Sequence, residues 1–455
     1  METKIAIFYD ETKYKSRIEY VFNFIFSHYF IKKKKIELVF NPNEGLDSHQ
    51  KSIVYKDICD KENMIHIKPQ NLIFSKNIIE SKNLKSRKFQ YKGLALYSLE
   101  KVEGQTQNFI ENNIVNFDII ETIFFHISRY EEFFAQEDQL DHHQRMKSSE
   151  QLLVQQEIYK TPVVDHLVYV FLDCLGFKNL DITSIYSMTH DIDAIRKFPS
   201  FYKFLRAFAR VITKDKSPKK AFDIIKQYTE VLIYQNDTYD TFDWLLSSNL
   251  AEEKIIYFMS GGKTKFDNFY SIDDKRLNSI FNRAKKYGYT IGLHPSYATP
   301  CEEEQLRKEI VILEERVSEK IINTRQHILH FSFKDTISIL ESQNIQYDST
   351  LGFQDLIGFR CGTGHNYYLY NFNKEKESTV QEVPLVVMDG PLLMEANYDI
   401  EKSREVIFDF LAKNKELTKI TFNFHNSTFD ELITDSLGLK ELYNNINQYV
   451  GLKVQ

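Results

Sequence analysis

Five segments in the second half of the chain each end an apolar run with polar residues two positions apart. In an extended strand this spacing puts both side chains on one face. Active sites of α/β proteins lie at the carboxyl ends of their parallel strands, so we expect these side chains to converge. The pairs are Asp191 and Asp193, His294 and Ser296, Arg325 and His327, Asp348 and Thr350, and Asn423 and His425.

The residue types in these pairs suit a divalent metal ion. Leaving such side chains buried and unpaired would cost about 1–3 kcal/mol each. Carboxylates and imidazoles together bind Zn²⁺, Fe²⁺ or Co²⁺. A bound metal polarises a carbonyl and lowers the pKa of its water to about 7, and an unliganded carboxylate beside it can accept the proton from that water. The sequence therefore predicts a metal-dependent hydrolase, with Zn²⁺ as the expected ion.

The elements that must position these residues alternate between strand and helix from Thr183 onward. Amphipathic helical segments lie between most of the apolar strand segments. The predicted strands are SIYSMTHDID, KIIYFMS, TIGLHPS, NTRQHIL, IQYDST, VQEVPLVVMD and KITFNFHNS. Seven strands with intervening helices favour a parallel α/β barrel at residues 183–455, either distorted or incomplete, and an open doubly wound sheet is the alternative. Residues 1–182 predict a smaller α/β domain of unknown role.

Two motifs resemble those of the polysaccharide deacetylases (NodB homology, carbohydrate esterase family 4). T-H-D-I-D at Thr189–Asp193 is similar to the first motif, and I-G-L-H-P-S-Y at Ile291–Tyr297 to the second. That family has a distorted (β/α)7 barrel and removes N- or O-acetyl groups from sugars. The resemblance implies that Asp191 is the general base and that Asp193 and His294 bind the metal.

Two further motifs extend the resemblance. R-Q-H-I-L at Arg325–Leu329 resembles the third motif, which implies that Arg325 pairs with the catalytic Asp. F-N-F-H-N-S at Phe422–Ser427 resembles the last motif, which implies that His425 protonates the leaving amine. The combination of HPSY, RQH, YDSTLGF, GFRCGT and PLVVMD is similar to a bacterial branch that has an extra N-terminal domain and is associated with surface-polysaccharide gene clusters.

The second motif departs from the family pattern. The family has another His four residues after the first, whereas this chain has Ala298. The third metal ligand is therefore open, with His327 favoured by its strand-end position and His425 or Ser296 as alternatives.

Four residues near the motifs are candidates for substrate binding: Ser296, Tyr297, Asp348 and Arg360. Asp348 either orients His425 or caps a turn. Arg360 either binds a substrate carboxylate or phosphate or forms an ordinary ion pair.

Composition limits the partners and the compartment. The formal charge of −6 gives no general attraction to nucleic acid. The four cysteines form no C-x-x-C pair, and the first residues show no signal peptide, so we expect a cytoplasmic protein with reduced thiols. Residues 196–220 carry nine basic residues and one acidic residue among aromatics. They predict a peripheral membrane contact, a lid, or a helix packed on the barrel.

Together these features predict removal of an N-acetyl group from a sugar or glycan intermediate, in surface-polysaccharide biosynthesis. One alternative is a hydrolase that cleaves the C–N bond of an amide that is not a sugar. The other is a metal-free barrel that binds carbohydrate or serves as a scaffold, which the His missing from the second motif favours.

Overall fold

The protein has a mixed α/β fold with two mainly parallel sheets. Its structure, a computed structural model, describes residues 3–42, 51–58, 64–74, 84–100, 109–234, 237–267, 270–430 and 436–454. Within these ranges no helix is both long enough and apolar enough to cross a bilayer. Three of the cysteines are free thiols, namely Cys174, Cys301 and Cys361, and Cys59 lies outside the described residues.

The first sheet and its helices come from the first 180 residues. The elements in chain order are β1 (Thr3–Tyr9), α1 (Lys15–Ser27), β2 (Ile36–Phe40), β3 (Lys51–Tyr55), β4 (Ile65–Ile67), β5 (Lys85–Tyr91), β6 (Leu94–Glu100), β7 (Ile110–Glu111), β8 (Ile114–Val115), α2 (Ile119–Ile127), α3 (Tyr130–Phe133), α4 (Leu152–Gln155) and α5 (Val163–Cys174). The strand order is β2-β1-β3-β4-β8-β7, and β5 and β6 form a separate antiparallel pair. In the sheet only β7 runs antiparallel to its neighbour.

The second sheet comes from the rest of the chain. Its elements are β9 (Ile185–Ile192), α6 (Phe201–Arg210), α7 (Pro218–Tyr234), α8 (Phe242–Ser247), β10 (Glu253–Phe258), α9 (Arg276–Lys286), β11 (Thr290–Leu293), α10 (Glu303–Val317), β12 (Asn323–Thr324), α11 (Thr336–Ser342), β13 (Tyr347–Asp348), β14 (Tyr367–Asn371), β15 (Lys376–Glu382), β16 (Val387–Met388), α12 (Asp389–Glu395), α13 (Ile400–Lys413), β17 (Lys419–Asn423) and α14 (Ser436–Val454). The strand order is β14-β15-β13-β12-β11-β10-β9-β17-β16, with β14 antiparallel and the rest parallel.

The segment VQEVPLVVMD does not form the single strand that its apolar pattern predicts. It splits between β15 and β16, which lie near opposite ends of the strand order. Residues of the short link between β15 and β16 donate hydrogen bonds to two other strands. The Val383 N–H donates to the Asp348 carbonyl of β13 at 2.7 Å, and the Val386 N–H donates to the Thr421 carbonyl of β17 at 3.1 Å. Because each residue spans at most about 3.6 Å, this link requires the sheet to curve strongly. In the described part of the chain no strand pairing joins the two sheet ends, so a closed barrel is not shown.

The central strands of the second sheet are buried along their length. All residues of β17 and all but the first of β9 are buried, as expected for parallel strands covered on both faces. One apolar cluster contains side chains from both parts of the chain. Ile5 and Phe124 come from the first 180 residues, and Leu293 and Tyr370 come from the rest. A second apolar cluster contains residues of β9 and β17, and the strand order β12-β11-β10-β9-β17 puts the carboxyl ends of these strands along one edge of the sheet.

Candidate metal centre

Three side chains from neighbouring strand ends meet at one point. Asp193 follows β9, His294 follows β11, and His327 lies three residues after β12. Asp193 Oδ1 lies 3.4 Å from His294 Nε2 and 3.6 Å from His327 Nδ1, and the two imidazole nitrogens are 3.0 Å apart. Ligand atoms at 2.0–2.2 Å from one Zn²⁺ lie about 3–4 Å from one another. The three atoms are therefore spaced as the ligands of a single ion would be.

Backbone carbonyls fix the orientation of both imidazoles. His294 Nδ1–H donates to the Arg325 carbonyl at 2.5 Å, and His327 Nε2–H donates to the Phe266 carbonyl at 2.9 Å. A carbonyl can only accept, so the remaining nitrogen of each neutral ring carries a lone pair. Both lone pairs point toward Asp193. This outer-shell arrangement is the one that proteins use to orient metal-binding histidines.

The polar atoms at this point fit a cation. Two imidazole lone pairs facing each other at 3.0 Å repel unless a proton or a metal ion lies between them. Asp193 Oδ1 is buried and has no hydrogen-bond partner, although the carboxylate as a whole is 27% exposed. Removal from water raises the pKa of Asp193, but the three neighbouring imidazoles outweigh it, and the net pKa is lowered. The carboxylate is thus ionised and available as a ligand.

Asp191 lies beside this group but is held by other residues. Arg325 donates to Asp191 Oδ1 at 3.0 Å, and Asn423 donates to Oδ2 at 2.9 Å. Arg325 is fully buried, and it also donates to Thr189 Oγ1 at 2.7 Å and to the Ser349 carbonyl at 2.9 Å. Its guanidinium therefore holds Asp191 in place, and the carboxylate still lines the cavity.

His425 faces both acidic residues from the other side of the cavity. Its Nδ1–H donates to Asp389 Oδ1 at 2.8 Å, and its Nε2 lies 3.9 Å from an oxygen of Asp191 and 3.9 Å from an oxygen of Asp193. Burial lowers the pKa of His425, but the charge of Asp389 outweighs it and raises the pKa to about 10. The imidazole is therefore protonated near neutral pH and can act as an acid.

A cavity of about 260 Å³ opens over these groups. Its wall contains Ile328 and Leu329, both in the left-handed region with φ of 51° and 55°. Such a conformation is strained for a β-branched residue such as Ile328. Arg145, from the first part of the chain, also lines the cavity and donates to the Ile328 carbonyl at 2.5 Å, while Asp141 holds its guanidinium at 2.7 Å.

Two of the four predicted substrate-binding residues lie near the rim without lining this cavity. The Ser296 hydroxyl donates to Glu309 at 2.5 Å and is buried, so it is not oriented as a metal ligand. Tyr297 stacks on His330 with centroids 4.7 Å apart, and its hydroxyl lies 3.2 Å from His143 Nδ1.

Asp348 and Arg360 lie away from the cavity. Asp348 accepts from Thr324 Oγ1 at 2.8 Å and from the Thr350 N–H at 3.1 Å, so it caps a turn and does not orient His425. Arg360 forms the ordinary ion pair: it is buried and donates to Glu132 Oε1 at 3.0 Å.

Three residues at the site had no role predicted from the sequence. Asp389 orients His425, Asn423 donates to Asp191, and Arg145 lines the cavity. Asp389 ends one predicted strand and Asn423 lies in another, two positions before His425, so strand position was a usable signal for both. Arg145 lies in a polar segment far away in sequence, and no local pattern indicates its position.

The comparisons with known proteins give partial likenesses. The model of a family of unknown function (DUF7033) matches residues 5–180. No curated protein matches the chain.

Part of the chain is similar to three solved structures. They are a "putative polysaccharide deacetylase" from Mycobacterium smegmatis (15% identity, 59% of this chain and 86% of that chain, TM-score 0.37), a CE4 family pseudoenzyme from Bacillus anthracis (6%, 59% and 64%, TM-score 0.26), and a GH57-type branching enzyme from Pyrococcus horikoshii (9%, 59% and 68%, TM-score 0.32). At these identities and scores the likeness does not extend to the activity of this chain.

Proposed function

We propose that this protein is a metal-dependent hydrolase that removes an N-acetyl group from a sugar or glycan intermediate. One observation carries the proposal. Asp193, His294 and His327 turn unshared electron pairs toward one point, with a fixed carboxylate at Asp191 and a protonated imidazole at His425 on either side. The predicted cytoplasmic location and the role in surface-polysaccharide biosynthesis stay predictions.

Asp191 is the proposed general base. A divalent cation, when bound, polarises the acetyl carbonyl and lowers the pKa of a water molecule. The Asp191 carboxylate lies beside this position, and Arg325 and Asn423 hold its two oxygens at 3.0 and 2.9 Å. It can therefore accept the proton that the attacking water loses, without rearranging.

His425 is the proposed general acid. Its pKa of about 10 keeps Nε2 protonated, and Asp389 fixes the ring so that Nε2 faces the cavity. A nitrogen leaving group must gain a proton as its bond to the acetyl carbon breaks. Asp191 and His425 would thus supply a base and an acid on opposite sides of one scissile amide.

We further propose that the second sheet is an incomplete (β/α)7 barrel, residues 183–455, and that residues 1–182 form a separate N-terminal domain. The strong curvature imposed by the link between β15 and β16 supports the barrel. Arg145 supports a role for the N-terminal part in shaping the cavity, because it reaches the Ile328 carbonyl.

Acetate release from the full-length protein tests the proposal. The protein is stripped with a chelator and reloaded with Zn²⁺, Co²⁺ or Fe²⁺, and acetate is measured with N-acetylglucosamine, its oligomers and nucleotide-linked N-acetyl sugars. We expect acetate release only from the reloaded protein, because the cavity residues alone lack a carbonyl-polarising group. Simple aliphatic amides serve as the comparison substrates.

Three outcomes would contradict the proposal. Faster hydrolysis of the simple amides would favour a hydrolase that does not act on sugars. Full activity in the metal-free protein would remove the role of the cation. Absence of both bound metal and acetate release, with retained affinity for a sugar, would favour a binding protein.

A further inference from the structure

The insertion between β9 and β10 contains a helical hairpin, residues 196–234. Its turn is at Lys216, whose φ is 47°, and α7 then runs back along α6. Phe204 of α6 and Tyr228 of α7 stack with centroids 4.1 Å apart, and Phe208 packs on the same small cluster. The hairpin therefore has its own apolar inner face, which holds the two helices together.

A second set of large apolar side chains on the hairpin is exposed. The most exposed are Phe201 (59%), Tyr202 (70%), Leu205 (44%), Ile212 (51%), Phe222 (68%), Ile225 (45%), Leu232 (64%) and Ile233 (64%). Surface helices normally keep one apolar stripe toward the core and polar residues on the opposite face. These helices carry an additional apolar stripe that the rest of the described chain does not cover.

Both exposed stripes lie on the same side of the hairpin. In α6 the exposed Leu205 follows the inner Phe204, and in α7 the exposed Ile225 follows the buried Ile224. One residue turns a helix by a little over a quarter turn. In each helix the exposed stripe is therefore turned away from the inner face in the same sense along the chain. Because the two helices run antiparallel, these two turns bring both stripes to the same side of the hairpin. The result is one continuous apolar surface.

The charge around this surface is strongly positive. Residues 196–220 contain nine basic residues and one acidic residue, within a chain whose formal charge is −6. Lys203, Arg206 and Arg210 are exposed and lie at three- and four-residue spacing on α6. An apolar stripe beside a basic stripe is the pattern of helices that lie in a membrane interface. A second copy of the hairpin would instead bring like charges together.

We propose that this face of the hairpin binds the surface of an anionic lipid bilayer. Large apolar side chains would enter the headgroup region while the basic residues contact lipid phosphates. The hairpin begins beside the candidate metal centre, since Arg196, Lys203 and Asp193 line one cavity. An N-acetylated substrate linked to a lipid would approach from this side, a consequence that rests on the proposed function, whereas the lipid binding itself does not.

Vesicle co-sedimentation of the full-length protein tests the proposal. One set of vesicles contains phosphatidylcholine alone and the other phosphatidylcholine with phosphatidylglycerol. We expect at least about tenfold tighter binding to the anionic vesicles at low salt, and weaker binding as salt screens the basic residues. Phe201→Ser/Leu205→Ser/Phe222→Ser should abolish this binding, and Arg206→Gln/Arg210→Gln should weaken it by about tenfold or more.

Leu437→Ser/Leu452→Ser is the matched control, because both leucines are 75% exposed outside the hairpin. This variant should bind vesicles as the wild type does, and circular dichroism should show that every variant is folded. The proposal is overturned if the wild type binds neither vesicle, or if both hairpin variants bind as tightly as the wild type. It is also overturned if the wild type is a dimer that Phe201→Ser/Leu205→Ser/Phe222→Ser dissociates and that added vesicles leave intact.

Discussion

Two groups of one Asp and two His in this molecule have nearly the same spacing but different surroundings. In each, the three potential ligand atoms lie within 4.8 Å of one another. In the first, Asp193 Oδ1 has no hydrogen-bond partner and both imidazoles keep a lone pair toward it. The second comprises His28, Asp165 and His365, all buried.

The carboxylate of the second group is already satisfied. Asp165 accepts from Thr418 Oγ1 at 2.8 Å, from the Gly364 N–H at 3.3 Å and from His28 Nε2 at 3.3 Å, and it also accepts from Thr363 Oγ1. A metal ion would have to displace these donors. Residue type and spacing therefore do not distinguish the two groups. The groups differ because the ligand atoms of the first keep electron pairs that accept no hydrogen bond, whereas the Asp165 carboxylate of the second already accepts several. The first group is suited to an ion and the second to holding α5 against the second sheet.

Removal of Asp193 should have the largest effect. In Asp193→Ala we expect bound metal to fall from about one ion per chain to background, and acetate release to fall by about 10³-fold or more, because the ligand set is broken. Metal analysis of the purified protein and an acetate assay measure both. The matched variant Asp165→Asn should keep its metal, and an equal loss from both variants would contradict the distinction.

Loss of the proposed acid should have the next largest effect. His425→Gln should retain its metal and slow turnover by about 10²-fold, since a positioned proton donor contributes about that much. Asp389→Asn should lower the pKa of His425, so the decline of activity at alkaline pH should begin at a lower pH than in the wild type. An unchanged pH profile in Asp389→Asn would show that Asp389 does not position the acid.

The buried group should affect stability without affecting the metal. Asp165→Asn should lower the free energy of unfolding by about 2 kcal/mol, because donors from Thr363, Thr418 and the backbone lose an acceptor. Urea unfolding followed by circular dichroism measures this change. A drop in metal content in this variant would show that the second group also holds an ion.

The smallest expected effect, counted per unit of pH, concerns the response of the buried group to pH. Burial lowers the pKa of His365 to about 3, so the folded protein keeps this ring neutral while the unfolded chain binds a proton below about pH 6.5. Stability is therefore full above pH 6.5 and falls toward pH 3, by up to about 1.4 kcal/mol per pH unit from this residue. His365→Phe should flatten that slope in urea unfolding at a series of pH values. A slope equal to that of the wild type would contradict the assignment.

Local patterns predicted the residues whose positions depend only on strand ends. Alternation along a strand is a backbone property, so Asp191, Asp193 and His294 could be placed on one face without a structure. Arg325 and His425 were also expected there. The structure puts Asp191, Asp193, His294 and His425 around one cavity, with Arg325 buried behind Asp191. Their catalytic and metal-binding roles stay predictions.

Long-range contacts could not be predicted in this way. Arg145 meets Ile328 across 183 positions of sequence, and Glu132 meets Arg360 across 228. Ser296 is turned away because Glu309, on α10, accepts both its hydroxyl and its backbone N–H. The split of VQEVPLVVMD was also hidden, since a continuous apolar run carries no sign of where the sheet ends meet.

The buried ion pair between Glu132 and Arg360 limits how the chain can be cut. Arg360 is only 2% exposed, and Arg129 also donates to its backbone carbonyl. A recombinant fragment starting at residue 183 would lose Glu132, and with it the ion pair of Arg360, and it would expose apolar side chains of the shared core to water. It would also remove Arg145 from the cavity wall. Expression strategies for this protein should therefore keep both halves in one polypeptide.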